Sequence, residues 1–134
     1  MAENIIVRSK EHLYRGINVE ELKKLDVREF AKYLPSRNRR TVLRNFDSIE
    51  KFVKRCEIKI ARNKKIKTHD RDTVIVPKMI GMAIQVYNGK SFNEVRIQPQ
   101  MLGHRLGEFS LSRQRVSHGD PGMGATKSSA GAKK

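Results

Sequence analysis

Apolar residues recur at helical spacing in the first half of the chain and at strand spacing in the second. Asn18-Val19-Glu20-Glu21 and Asp26-Val27-Arg28-Glu29 each place a capping side chain three residues before a Glu. That is the spacing of a capping box, with Asn or Asp in place of Ser or Thr. Two short helices follow from it, one carrying Leu22 and Leu25, the other Phe30, Tyr33 and Leu34. Pro35 stops the second helix or separates it from the next. Ser36 reads as a new cap before Arg37-Asn38-Arg39-Arg40-Thr41-Val42-Leu43-Arg44. The longest helical signal spans 47–62, opened by Asp47 or Ser48. At helical periodicity Ile49, Phe52, Val53, Cys56 and Ile60 fall within an arc of about 100°. Lys51, Arg55, Lys59 and Arg62 share a second arc of about 80°, with Glu50 and Glu57 on the opposite flank. The helix is thus predicted to pack on one side and to offer a basic side to a partner.

The pattern changes after Asp70. Thr73-Val74-Ile75-Val76 is a β-rich run ended by Pro77. Met82-Ala83-Ile84-Gln85-Val86-Tyr87 alternates with period two, and Phe92-Asn93-Glu94-Val95-Arg96-Ile97 is a third strand candidate. Asn88-Gly89 between the last two signals a hairpin. A two-residue turn would pair Ile84 with Asn93. A four-residue connection, Asn88 to Ser91, pairs Tyr87 with Phe92, Ile84 with Val95 and Met82 with Ile97. The second register sets apolar side chains opposite one another on one face and makes an aromatic cross-strand pair, so it is the one predicted. Gln98-Pro99-Gln100-Met101-Leu102-Gly103 reads as one helical turn, with Pro99 at its first position and Gly103 at its stop. The expected fold is α+β: basic N-terminal helices on a small antiparallel sheet of about three strands. Its expected divisions are an N-terminal arm (1–17), a helical basic region (18–70), a sheet with Gly-rich loops (71–116) and an extended Gly/Ser/Lys tail (117–134). Lacking apolar periodicity, the tail has no means of building a core by itself.

Charge changes the picture most. The 134 residues hold 29 Lys and Arg against 14 Asp and Glu, a net charge of +15. Residues 37–71 alone carry 13 basic and 4 acidic side chains. So concentrated an excess repels itself, and a polyanion, most commonly nucleic acid, is the simplest neutralising partner. Hydrophobic residues make up 37% of the chain and Trp is absent, so the core must be small. No apolar run approaches the length of a membrane span. Met1-Ala2-Glu3-Asn4-Ile5-Ile6-Val7-Arg8 does not read as a signal peptide, and a cytoplasmic location is expected.

Candidate chemistry is sparse. Cys56 is the single cysteine and lies in the apolar arc, so it reads as core. His12, His69, His104 and His118 show no metal-ligand spacing. Gly119-Asp120-Pro121-Gly122-Met123-Gly124-Ala125-Thr126 approaches a phosphate-binding loop, but Ala125 stands where the required Lys would be. The expectation is a protein without catalytic residues, cofactor or metal. Composition alone is also compatible with a free-standing nucleic-acid-binding protein such as a chromatin architectural factor.

More specific residues narrow this. Val86-Tyr87-Asn88-Gly89-Lys90, then Ile97, then Met101-Leu102-Gly103-His104-Arg105-Leu106-Gly107-Glu108-Phe109-Ser110 resembles the signature of the ribosomal protein S-nineteen family. Pro77-Lys78-Met79-Ile80-Gly81 also fits. Tyr14-Arg15-Gly16, Lys67-Thr68-His69 followed by Arg71-Asp72, and the tail from His118 to Ser129 look like the archaeal and eukaryotic branch. The resemblance implies a structural role in the head of the small ribosomal subunit, bound to small-subunit rRNA and near ribosomal protein S-thirteen and the subunit interface, where contact with the large subunit is possible. It further implies a C-terminal tail running toward the tRNAs and the decoding region. Neither a membrane nor a second copy of the chain is expected as a partner.

The residues expected to meet rRNA are Arg37, Arg39, Arg40, Arg44, Lys51, Arg55, Lys59, Arg62, Lys64, Lys65, Lys67 and Arg71, followed by Lys90, His104, Arg105, Arg113 and Arg115. Their cationic groups would neutralise phosphates and release counterions, and Arg adds bidentate geometry. His118, Gly122, Gly124, Thr126, Lys127 and Ser128 are the tail residues expected near tRNA. Tyr87 and Phe92 are read first as a cross-strand pair and second as rings on which bases could stack.

Overall fold

The computed structural model describes residues 12–115. A tight hairpin opens the fold, with β1 (Leu13–Tyr14) antiparallel to β2 (Ile17–Asn18). Arg15 and Gly16 both have positive φ, at 51° and 82°, as a type I′ hairpin turn requires. This hairpin falls partly inside the stretch expected to be an arm, and two residues per strand give no alternation to read.

Helix α1 (Val19–Lys24) follows directly, and the Asn18 side chain accepts from the Glu20 N–H at 3.2 Å. In α2 (Val27–Phe30), Glu29 Oε2 reaches back to the Asp26 N–H at 3.3 Å, the return arm of the box read there. Ala31–Tyr33 tightens into a 3₁₀ turn before Leu34 goes extended, as a residue preceding proline must. Two helix starts differ from expectation. Ser36 is the first helical residue of α3 (Ser36–Arg44), and Pro35 is its cap, its carbonyl accepting from the Arg39 N–H at 2.8 Å. The long helix α4 (Phe46–Ala61) begins one residue before Asp47, after Asn45.

Ile49, Phe52, Val53 and Cys56 of α4 are buried as predicted, but Ile60 is 46% exposed. Ile60 instead lines an open groove with Ile66, Met82 and Ala83. Helical periodicity identifies the face of a helix but not where its covering layer ends.

The sheet has three strands in the order β3-β4-β5, with β3 at Ile66–Thr68, β4 at Ala83–Tyr87 and β5 at Phe92–Arg96. The β4–β5 register is the predicted one: Ile84 opposes Val95 and Tyr87 opposes Phe92. It extends outward, with the Ile97 N–H donating to the Met82 carbonyl at 3.0 Å. Asn88 Oδ1 accepts from the N–H groups of Lys90 and Ser91 at 2.9 and 2.7 Å, which closes the four-residue connection.

Two corrections apply to the sheet. Its third strand is β3, drawn from the basic run after α4, and it lies parallel to β4, so the sheet is mixed rather than antiparallel. Thr73-Val74-Ile75-Val76 is extended but belongs to no sheet strand. The Ile75 N–H donates to the His104 carbonyl at 2.8 Å, the Gly103 N–H to Ile75 at 3.2 Å and the Leu106 N–H to Thr73 at 3.1 Å. Val74, Ile75 and Val76 are all fully buried, so their apolar run reports burial on every side. Within the predicted register, Ile84/Val95 and Tyr87/Phe92 lie on opposite faces, because positions an odd number apart alternate across a strand.

Helices and sheet share one buried cluster that includes Leu22, Phe30, Leu34, Val42, Phe52, Ile84 and Leu106. Pro99–Met101 forms the predicted turn as a 3₁₀ turn, and a second spans Leu106–Phe109. Between them Gly103 has φ +77°, and a Cβ there would stand 2.8 Å from the Tyr14 hydroxyl and 3.0 Å from Leu34. Only glycine suits that backbone and that space.

Candidate nucleic-acid interface

The basic side begins on α3. Val42 is buried and Asn38 half-buried, so this helix turns its other side, with Arg37, Arg40 and Arg44, to solvent. Leu43 stands 52% exposed among these arginines. Arg39 differs from its neighbours. Its Nε donates to the Ala31 carbonyl at 3.2 Å, and its NH2 to those of Lys32 and Leu34 at 2.8 and 3.4 Å. It therefore satisfies the Lys32 and Leu34 carbonyls where the preceding turn ends and adds a second bond to the Ala31 carbonyl, which already accepts from the Leu34 N–H at 3.2 Å.

Helix α4 continues the surface. Lys51, Arg55 and Arg62 are exposed and Lys59 is half-buried. The Arg55 guanidinium lies 5.9 Å from the Phe52 ring centroid. Lys54 pairs with Glu50 at 3.0 Å, one turn away. Lys64 and Lys65 are exposed in the loop after the helix, where Asn63 takes a positive φ of 51°. Lys67 then projects from β3, with Nζ 5.2 Å above the Phe92 ring. Among the described residues, Arg37, Arg40, Arg44, Lys51, Arg55, Arg62, Lys64 and Lys65 make no ion pair within 4.0 Å. Eight cations without carboxylate partners repel one another, a cost that a bound polyanion removes.

The remaining expected contacts divide. Lys90 is exposed at the hairpin tip, and Arg113 and Arg115 are exposed at the end of the described chain. Arg71 is half-buried and occupied: NH1 donates to the Tyr87 carbonyl at 2.6 Å, and NH2 to those of Gly107 and Ser110 at 2.9 and 2.6 Å. Arg105 pairs with Asp72 at 2.5 Å and reaches Thr41 of α3 at 3.4 Å. His104 Nδ1 lies 2.7 Å from Glu108 Oε2. Arg39, Arg71 and Arg105 thus have much of their donor capacity taken up within the fold. The six tail residues from His118 to Ser128 lie outside the described residues.

Two features were not foreseen. A cleft of about 250 Å³ runs between α4 and β3, lined by Arg55, Lys59, Lys67 and His69 with Cys56 at its wall. His69 also joins the aromatic pair, its ring centroid 4.7 Å from Tyr87 and 5.1 Å from Phe92. The signal for the cleft was the Lys67-Thr68-His69 run, but its strand character shows only through pairing with β4. Burial pushes the Cys56 thiol above its ordinary value, more than Lys59 and Arg55 pull it back. The thiolate is therefore scarce at neutral pH, and Cys56 serves the core.

Fold and surface together define a small, strongly basic α+β protein with its cations gathered on two consecutive helices and the loop that follows. The chain belongs to the ribosomal protein S19 family, whose profile matches residues 36–118. It is 45% identical over 122 residues to the "Small ribosomal subunit protein uS19" of the archaeon Methanocella arvoryzae, covering 91% of this chain and 86% of that one. The archaeal-type assignment follows, and with it a structural place in the small ribosomal subunit.

Proposed function

We propose that this protein binds small-subunit rRNA in the head of the small subunit and does so without catalytic activity. Arg37, Arg40 and Arg44 of α3, Lys51, Arg55, Lys59 and Arg62 of α4, and Lys64, Lys65 and Lys67 beyond it meet the phosphates. Lys90, Arg113 and Arg115 extend the contact from the sheet side, with His104 and Arg105 at its edge. Arg39 and Arg71 act mainly by holding the backbone that presents the others. The observation that carries this reading is the set of exposed cations on α3, α4 and the following loop with no carboxylate partner among the described residues. Each phosphate neutralised releases counterions and strengthens binding in a salt-dependent way.

In this reading ribosomal protein S-thirteen is a neighbour, the subunit interface is close, and the tail from residue 117 approaches tRNA and the decoding region. His118, Gly122, Gly124, Thr126, Lys127 and Ser128 form that approach, since glycines allow close contact and Lys127 adds charge. Sedimentation of cell extracts tests the reading. The chain is expected to comigrate with small subunits and to survive a high-salt wash. Salt-labile presence in free or chromatin fractions would overturn it in favour of a free-standing nucleic-acid binder.

A further inference from the structure

The outer face of the sheet is not a plain solvated surface. The register sets Lys67, Gln85, Tyr87, Phe92, Glu94 and Arg96 on it, away from the core-facing Ile66, Ile84, Val86 and Val95. At one end His69, Tyr87 and Phe92 close a triangle, with ring centroids 4.7, 5.1 and 5.1 Å apart. His69 is exposed, and the other two rings are half-buried. Cross-strand packing accounts for one contact in this triangle; Tyr87 and Phe92 keep part of their surface exposed, and the Lys67 ammonium stands 5.2 Å over the Phe92 ring.

The backbone beneath the rings is well tied. Arg71 NH1 holds the Tyr87 carbonyl at 2.6 Å, and the Tyr87 hydroxyl donates to the Gly89 carbonyl at 2.8 Å. Asn88 Oδ1 fixes the turn between the two aromatic residues. The rings therefore form a pre-organised surface, which lowers the ordering cost of binding. Lys67 and His69 also line the α4–β3 cleft, so cleft and ring cluster share two residues. Arg55, Lys59 and Lys67 face that cleft against Asp70, a net cationic lining.

We propose that ring cluster and cleft together form a site for one unpaired RNA nucleotide. The base lies against His69, Tyr87 and Phe92, and an adjoining phosphate sits among Arg55, Lys59 and Lys67. An unpaired nucleotide fits because a base inside an A-form helix has both ring faces covered by its neighbours. The site rests on the rRNA-binding reading above and adds the chemistry of one contact to it.

Binding of the full chain to an eight-nucleotide single-stranded RNA carrying 2-aminopurine tests the site, with an A-form RNA duplex of equal length beside it. Stacking quenches the 2-aminopurine. The double variant Tyr87→Leu/Phe92→Leu is expected to bind the single strand at least about fivefold more weakly, as loss of base–aromatic stacking implies. Its quenching should disappear while its salt slope and its duplex affinity stay as in the wild type. His69→Ala lies outside the strand pairing and should shift quenching and affinity in the same direction, which keeps the test decisive if the double variant unfolds. Lys59→Gln should keep the quenching and flatten the single-strand salt slope by about 0.7, one phosphate contact. Wild-type quenching and affinity in both aromatic variants would overturn the site. If Lys51→Glu/Arg62→Glu on α4 still flattened the salt slope, the rRNA reading would stand without it. Equal loss on single strand and duplex would also overturn the site, because it would mark a general surface rather than a base contact.

Discussion

The side-chain amide of Asn38 donates to the carbonyl oxygen of Gly103 at 2.6 Å, joining residues 65 positions apart. Asn38 is the one uncharged residue in the run Arg37-Asn38-Arg39-Arg40, and it faces the protein. Its bond anchors α3 to the turn at Gly103. With Val42 buried one turn later, it fixes which arginines face outward. The Arg105–Thr41 contact at 3.4 Å adds a second tie between the same two parts.

Removing that anchor should loosen the basic helix. Asn38→Ala is expected to cost about 1–3 kcal/mol, because it leaves the Gly103 carbonyl without its partner in a half-buried site. Urea denaturation followed by circular dichroism measures it. An unchanged midpoint would mean that water replaces the amide freely.

Gly103→Ala tests the other end of the contact. The added methyl meets the Tyr14 hydroxyl and Leu34, and φ +77° disfavours any side chain. A loss of about 1–3 kcal/mol is expected from strain and crowding. Gly89→Ala, with φ +102° but nothing within 4 Å, shares only the strain and should cost less. Equal melting shifts in the two variants would show that crowding contributes nothing.

Arg71 should matter for stability more than for charge. Its guanidinium bridges the carbonyls of Tyr87, Gly107 and Ser110. Arg71→Met is expected to destabilise by about 2–4 kcal/mol, and Arg71→Lys to recover only part, since a single ammonium cannot span the planar fork. Full recovery by Lys in a denaturation series would argue against the fork geometry.

Charge reversal on α4 should do the opposite. Lys51→Glu/Arg55→Glu/Arg62→Glu removes exposed cations and leaves the core untouched. Folding should be largely intact, while the slope of log affinity for small-subunit rRNA against log salt flattens by roughly 2–3. A salt titration that returned the wild-type slope would mark this face as merely solvated.

Truncation after Val116 is expected to leave melting and head-rRNA binding nearly unchanged, because among the described residues the buried cluster draws on none later than Phe109. On assembled ribosomes the truncated chain should show its loss in tRNA binding or decoding. Equal loss of assembly and decoding would make the tail a structural element instead.

What the sequence determined by itself is what is encoded over a few residues. The Asn18 cap, the Asp26/Glu29 reciprocity and the Asn88–Ser91 connection are local, specified by side-chain chemistry at offsets of two or three residues, and the length of that connection sets the Ile84/Val95 register. The segregation of charge into residues 37–71 and the family signature over 86–110 were likewise legible. Tertiary structure decided the partnerships between distant segments. Lys64-Lys65-Ile66-Lys67 reads as the end of a basic run until Ile66 and Thr68 turn inward beside Ile84 and Val86. Thr73-Val74-Ile75-Val76 reads as a sheet strand, yet Thr73 and Ile75 bond to Gly103, His104 and Leu106. Arg37 and Arg39 are indistinguishable as letters, and only the carbonyls brought near by the fold occupy one and leave the other to solvent. The physical reason is range: caps and turns are satisfied by neighbours in the chain, whereas a donor, a strand edge or an outward-facing ring acquires its role from whatever the packed core sets beside it.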